Sequence, residues 1–93
     1  MPFVYIVVCH DGTLYTGWTT DLEARVQAHN AGHGSAYCKA RRPVRLVYQE
    51  EWPTRRQAQQ REQAIKRLPR HKKLELIGIS DIEYRMPDTT DIR

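Results

Sequence analysis

Two periods of hydrophobic residues alternate along the chain. Positions 3–9, Phe-Val-Tyr-Ile-Val-Val-Cys, are continuously apolar, β-branched and aromatic, too short for a helix and suited to a strand. Asp11-Gly12 is a turn signal, and residues 13–18 form a second extended run, so the two predict an antiparallel hairpin. Helical spacing takes over at Leu22, Val26 and His29. Thr20-Asp21-Leu22-Glu23 fits a capping box with Thr20 as N-cap, and Gly32 stands where a glycine ends a helix. Residues 33–43 read as a polar, basic loop and 44–50 as a third strand. Thr54 and Gln57 repeat the capping arrangement ahead of a second helix, carried by Ala58, Ala64, Ile65 and Leu68 and stopped by Pro69. A shorter helix over 70–77 turns Leu74 and Ile77 inward and ends at Gly78.

The order β-β-α-β-α-α predicts an α+β fold, a small antiparallel sheet covered by helices. No internal repeat or low-complexity linker interrupts it. One domain is expected over residues 1–80, with 81–93 as a C-terminal tail that frays.

Length narrows the field further. A chain of 93 residues buries only about 60–65% of its unfolded surface, which excludes a dinucleotide-binding fold, an eightfold barrel or a two-domain enzyme. No apolar run approaches the roughly 20 residues of a membrane span. Phe3–Cys9 lacks the basic flank and small-residue cleavage site of a signal peptide. Two cysteines, Cys9 and Cys38, are too few for a disulfide framework, so reduced thiols and a cytoplasmic setting are expected. A zinc site from Cys9, His10, His33 and Cys38 lacks the usual paired spacing.

Charge adds a direction. Fifteen cations against eleven acids leave the chain at +4, and the cations cluster. Lys39, Arg41, Arg42 and Arg45 form one group; Arg55, Arg56, Arg61, Lys66 and Arg67 a second; Arg70, His71, Lys72 and Lys73 a third. Arginine predominates, and its planar fork matches phosphate oxygens in pairs. Clustered arginines point to nucleic acid.

Three motifs line up in order: Phe3-Val4-Tyr5, Tyr15-Thr16-Gly17 and Asp21-Leu22-Glu23-Ala24-Arg25. His29-Asn30-x-Gly32, the Arg41-Arg42-Pro43 stretch and Arg61-Glu62-x-x-Ile65-Lys66 follow them. The chain from about residue 2 to residue 78 resembles the GIY-YIG nuclease superfamily, and most of all its small stand-alone bacterial members. The first motif departs from its name, with Phe3 in place of Gly and Val4 in place of Ile. The resemblance implies a three-stranded antiparallel sheet flanked by helices, and phosphodiester hydrolysis with one divalent metal, Mg²⁺ or Mn²⁺. It assigns Tyr5 and Tyr15 as the motif tyrosines, Arg25 as the phosphate-binding arginine, His29 as the histidine one turn on and Glu62 as the metal ligand.

The residues themselves bear on that assignment. A three-residue loop, His10-Asp11-Gly12, sets Tyr5 opposite Gly17 and Tyr15 opposite Val7, so both phenols share one sheet face. Gly17 then leaves room beside Tyr5 for a phosphate. Arg25 and His29, four apart, share a helix face. Glu62 lies four after Ala58 and three before Ile65, along the apolar stripe, where an inward carboxylate requires a cation. In the expected chemistry Tyr5 acts as base, Tyr15 positions, Arg25 stabilises charge on the phosphate, and His29 relays a proton or binds phosphate. Each residue also has a plainer reading: tyrosines that pack, a surface arginine, a core histidine, and a Glu62–Lys66 helix pair worth about 0.3–0.5 kcal/mol. Trp18, Trp52 and Tyr37 read as packing residues, with base stacking open to Tyr37. Lys39, Arg41 and Arg42 form either a solvated loop or, with Lys66, a clamp on the phosphate backbone.

Two functions stand side by side. One is a metal-dependent endonuclease acting on single-stranded, branched or damaged DNA with little sequence specificity, in a DNA-repair setting, with room for a protein partner that supplies specificity. The other is a nucleic-acid-binding module that keeps the fold without catalysis.

Overall fold

A computed structural model describes residues 1–78, and the expected tail over 81–93 lies outside the described residues. Strands β1 (Phe3–Cys9) and β2 (Leu14–Thr19) form the hairpin. Helices α1 (Leu22–Ala31) and α2 (Ala36–Lys39), strand β3 (Val44–Glu51), and helices α3 (Arg55–Lys66) and α4 (Arg70–Ile77) follow. The sheet is antiparallel throughout, in the order β2-β1-β3. This is the expected α+β architecture with one helix more.

That extra helix is the main departure from the sequence reading. Ser35 accepts a hydrogen bond from the Cys38 amide at 3.0 Å and starts a single helical turn inside the segment read as a loop. Four residues give no periodicity to detect, so only the cap marks it. The cap of α1 is also displaced by one. Asp21, not Thr20, accepts from the Ala24 amide, because a carboxylate at that position satisfies the amide and the helix dipole together. Thr54 caps α3 through the Gln57 amide as expected, whereas Ala64 turns outward and leaves Ala58 and Ile65 as the buried positions.

The central strand divides the molecule into two layers. Even-numbered Val4 and Ile6 pack against Ala58 and Ile65 of α3, and Val8 against Leu74 of α4. Odd-numbered Tyr5, Val7 and Cys9 pack against Cys38, Leu22 and Val26 on the α1–α2 side. Period-two alternation in one fully covered strand produces both cores. In β3 the register slips between Ile6 and Val7, so that Tyr48 faces Ile6 and Leu46 faces Val7. This bulge lets β3 serve both layers. At one end of the α3 layer Glu50 accepts from Tyr48, from Trp52 Nε1 at 2.9 Å and from Arg61 through two nitrogens at 2.9 Å each. Burial works against that carboxylate, but these donors outweigh it and hold its pKa below the usual range.

Candidate functional site

The hairpin places the two phenols. Cys9 and Thr13 close a three-residue loop, with Gly12 in the left-handed region at φ 85°. Tyr5 therefore pairs with Gly17 and Tyr15 with Val7, and both side chains point toward α1. Gly17 has a different use from the one expected. A Cβ there would lie 2.5 Å from Tyr5 Oη, so the Tyr5 ring itself fills the space over the glycine and no phosphate lies between them.

Helix α1 supplies the next two groups. His29 is fully buried, and its Nε2 lies 2.8 Å from Tyr5 Oη. The Tyr15 ring meets the imidazole edge-on at 5.4 Å. Burial lowers the His29 pKa, and the nearby Arg25 guanidinium adds to the effect. A neutral imidazole results, able to accept the Tyr5 proton at Nε2. Burial pushes the Tyr5 phenol well above its ordinary range, against the opposing charge of Arg25. Tyr5 is 1% exposed and remains protonated at neutral pH. Among the described residues His29 Nδ1 has no hydrogen-bond partner. Gly34 packs its backbone over that nitrogen so closely that any Cβ would collide with the ring.

Lys66 approaches Tyr15 from the opposite layer, with Glu62 beside it. Helix α3 packs under β2, an edge strand, and Lys66 extends round that edge to bring Nζ 5.6 Å from the centroid of the Tyr15 ring. The Glu62 carboxylate lies 3.5 Å from the same Nζ, and its side chain is 15% exposed. Glu62 forms the helix pair with Lys66, but on a largely shielded rather than a solvated face. Glu62 offers one carboxylate, in keeping with an ion that retains most of its waters, but the Lys66 ammonium already occupies it and a bound cation would have to displace that partner. Among the described residues no group of three or more His, Cys, Asp or Glu side chains could hold a metal by itself.

The basic loop is organised differently. Arg41 donates to Asp11 at 3.1 Å and to the Tyr37 carbonyl at 2.9 Å, and its guanidinium lies 3.9 Å over the Tyr37 ring. Arg42 donates to the Lys39 carbonyl at 2.9 Å and to the Asn30 carbonyl at the end of α1. These two arginines tie helix ends and the turn together, while Lys39 and Arg42 line a separate pocket with Asn30 and Pro43. Tyr37 packs its ring on Tyr15 at 5.8 Å, while 38% of it stays exposed and leaves a face open to stacking. It forms a wall of the site. No local signal connects it to Tyr15, because the two are distant in sequence and meet only through α2.

Residues 1–75 match the family described as the GIY-YIG catalytic domain. A UPF0213 protein of Clostridium perfringens is 51% identical over 83 residues, covering 89% of each chain. One from Staphylococcus aureus is 57% identical over 75 residues, 81% of this chain and 92% of that one. The solution NMR structure of the UPF0213 protein BH0048 from Bacillus halodurans covers 97% of this chain and 94% of its own, with a TM-score of 0.55 at 36% identity. The solution NMR structure of EF2693 from E. faecalis gives a TM-score of 0.56 at 35% identity over 82% of this chain and 81% of its own.

Proposed function

This chain belongs to the GIY-YIG family, and from that premise we propose that it is a metal-dependent endonuclease hydrolysing phosphodiester bonds in DNA with little sequence specificity. A nuclease-type activity is what the catalytic domain of this family implies. The observation that carries the reading is the Tyr5 Oη–His29 Nε2 hydrogen bond at 2.8 Å beside Arg25 and Tyr15.

A phenol buried this deeply is a poor resident phenolate, so Tyr5 acts as one link of a relay. It takes a proton from the attacking water as it passes its own to His29 Nε2, which burial keeps neutral and receptive. The water oxygen bonds to phosphorus, the leaving P–O bond breaks, and the leaving oxygen takes a proton from solvent. Arg25 stabilises the negative charge that builds on the phosphate. Tyr15, fixed between His29 and Tyr37, positions that phosphate. Glu62 is the residue that would hold a magnesium or manganese ion, and such an ion supplies charge neutralisation at the phosphate and leaving oxygens. With only a basic surface for affinity, binding is sequence-nonspecific and steeply salt-dependent.

The Lys66 ammonium on Glu62 favours a second reading, a binding module in which that carboxylate serves the helix alone. One experiment separates the two. Plasmid, single-stranded and branched DNA are incubated with magnesium or manganese beside Arg25→Ala and Glu62→Ala. Cleavage lost in both variants and in EDTA supports the endonuclease. Salt-sensitive binding without cleavage, unchanged in Glu62→Ala, supports the module.

A further inference from the structure

The rim of the site holds a pocket that Tyr5, Tyr15, His29 and Glu62 leave unexplained. Trp18, Thr19 and Thr20 at the end of β2, Arg25 of α1 and Arg55 of α3 line an open cleft of about 310 Å³. Arg55 stands seven residues before Glu62, two helical turns away on the same side of α3. One end of α3 therefore lies by Trp18 and Thr20, and the other, Lys66, by Tyr15. Glu62 falls between them, so this pocket and the phenols occupy successive positions along the outer edge of β2. Arg25 belongs to both, lining the pocket while its charge acts on Tyr5.

The pocket chemistry is selective. Two guanidinium groups converge on it from different helices, and no carboxylate lines it. Among the described residues neither Arg25 nor Arg55 has a carboxylate at ion-pair distance, whereas Arg41 and Arg61 each have one. Like charges brought together repel unless an anion lies between them. Helix stability does not account for Arg55 either: the first turn of α3 carries Arg55 and Arg56 and no acid, the reverse of what the helix dipole favours. Thr20 adds a hydroxyl that capping leaves unused, because Asp21 is the N-cap.

We propose that this pocket is a phosphate subsite, in which Arg55, Arg25 and the Thr20 hydroxyl seat a second backbone phosphate of the bound strand, next to the one positioned by Tyr15. Paired forks and a hydroxyl suit the oxygens of a phosphodiester. The assignment of the neighbouring phosphate as the scissile one rests on the endonuclease reading; the subsite itself does not.

The test therefore begins with binding in EDTA. Anisotropy of a labelled single-stranded oligonucleotide is followed against salt for the parent, Arg55→Gln and Arg55→Lys. One lost phosphate contact makes the log–log salt slope shallower by about 0.7 and weakens binding several-fold at low salt. Arg55→Gln is expected to show both changes and Arg55→Lys to restore the slope. An unchanged slope and affinity in Arg55→Gln overturns the subsite. Cleavage is then measured on strands carrying one neutral methylphosphonate at successive positions. The parent is expected to lose rate when the phosphate beside the cut is neutral, and Arg55→Gln to be insensitive there. Equal sensitivity in both proteins overturns the pairing of Arg55 with that phosphate. Slope-changing binding with no cleavage by the parent supports the subsite and overturns the endonuclease reading alone; absence of DNA binding overturns both.

Discussion

The two faces of the central strand use the same alternation for opposite ends. Toward α3 and α4 it presents Val4, Ile6 and Val8 to Ala58, Ile65 and Leu74, a plain apolar contact. Toward α1 and α2 it presents Tyr5 to a buried histidine whose second nitrogen has no partner among the described residues. A hydrocarbon layer asks only for volume, but a buried phenol–imidazole pair carries a standing desolvation cost that packing alone does not require. The contrast is one of degree: the α3 layer also buries Thr16 Oγ1, unpartnered among the described residues, and carries the Glu50 network, but the α1 layer gathers a phenol, an imidazole and a guanidinium together.

The largest expected effects break this division cleanly. Arg25→Ala is expected to lower kcat by about 10²–10³, the usual loss for one donor to developing charge, while the denaturant midpoint stays within experimental scatter of the parent. Steady-state cleavage and urea melts read the two quantities. Ile65→Ala is its mirror image. It removes a fully buried side chain from the apolar layer and is expected to cost about 2–5 kcal/mol of stability, with turnover per folded molecule retained. A large kcat loss in Ile65→Ala at temperatures where it is folded would show that the layers are not separate.

Tyr5→Phe tests the boundary itself. The substitution keeps the ring over Gly17 but leaves His29 Nε2 unpartnered, and about 1–3 kcal/mol of stability is expected to go with it. Activity falls as well, since the proton path is cut. The pH dependence sharpens the same point. The folded state holds the His29 pKa below its unfolded value, so between the two values the unfolded chain binds more protons. Stability is then complete above the ordinary histidine pKa near 6.5 and is lost as pH falls through and below it, with a slope of at most about 1.4 kcal/mol per pH unit. The Tyr5 and Tyr15 rings pack against the imidazole, and the Arg25 guanidinium nearby acts in the same direction as burial. In melts across pH 7 to 5, His29→Gln should remove that part of the slope. The smallest effect belongs to neither layer: Lys72→Ala, which breaks an exposed pair with Glu75 at 3.7 Å, should change stability by less than about 0.5 kcal/mol.

What the residue pattern conveyed depended on how local each cause was. The hairpin register follows from a three-residue loop and one glycine, so the pairing of Tyr5 with Gly17 could be read before any coordinates. The helix ends at Gly32 and Gly78 and the cap at Thr54 are likewise set within a turn of chain. Asp21 displaced Thr20 because two good caps stood side by side and sequence alone does not rank them. The Tyr5–His29 hydrogen bond and the stacking of Tyr37 on Tyr15 join segments far apart in the chain, where no spacing rule applies. The arginines at 41 and 42 showed their charge but not their hydrogen bonds to carbonyls, which depend on where two helices happen to end.

The strand order has a kinetic consequence. The middle strand, β1, precedes both its neighbours in the chain, and β3, whose Glu51 pairs with Phe3, arrives long after. The β1–β2 hairpin closes locally, on a scale of about 1–10 μs, so the register that aligns the two phenols can form early. The second edge of β1 waits for a far longer loop to close, and contacts of that span slow folding. During synthesis the hairpin would emerge with one flank of β1 unpaired until residues 44–51 leave the ribosome, which makes that flank the segment most in need of protection from other chains.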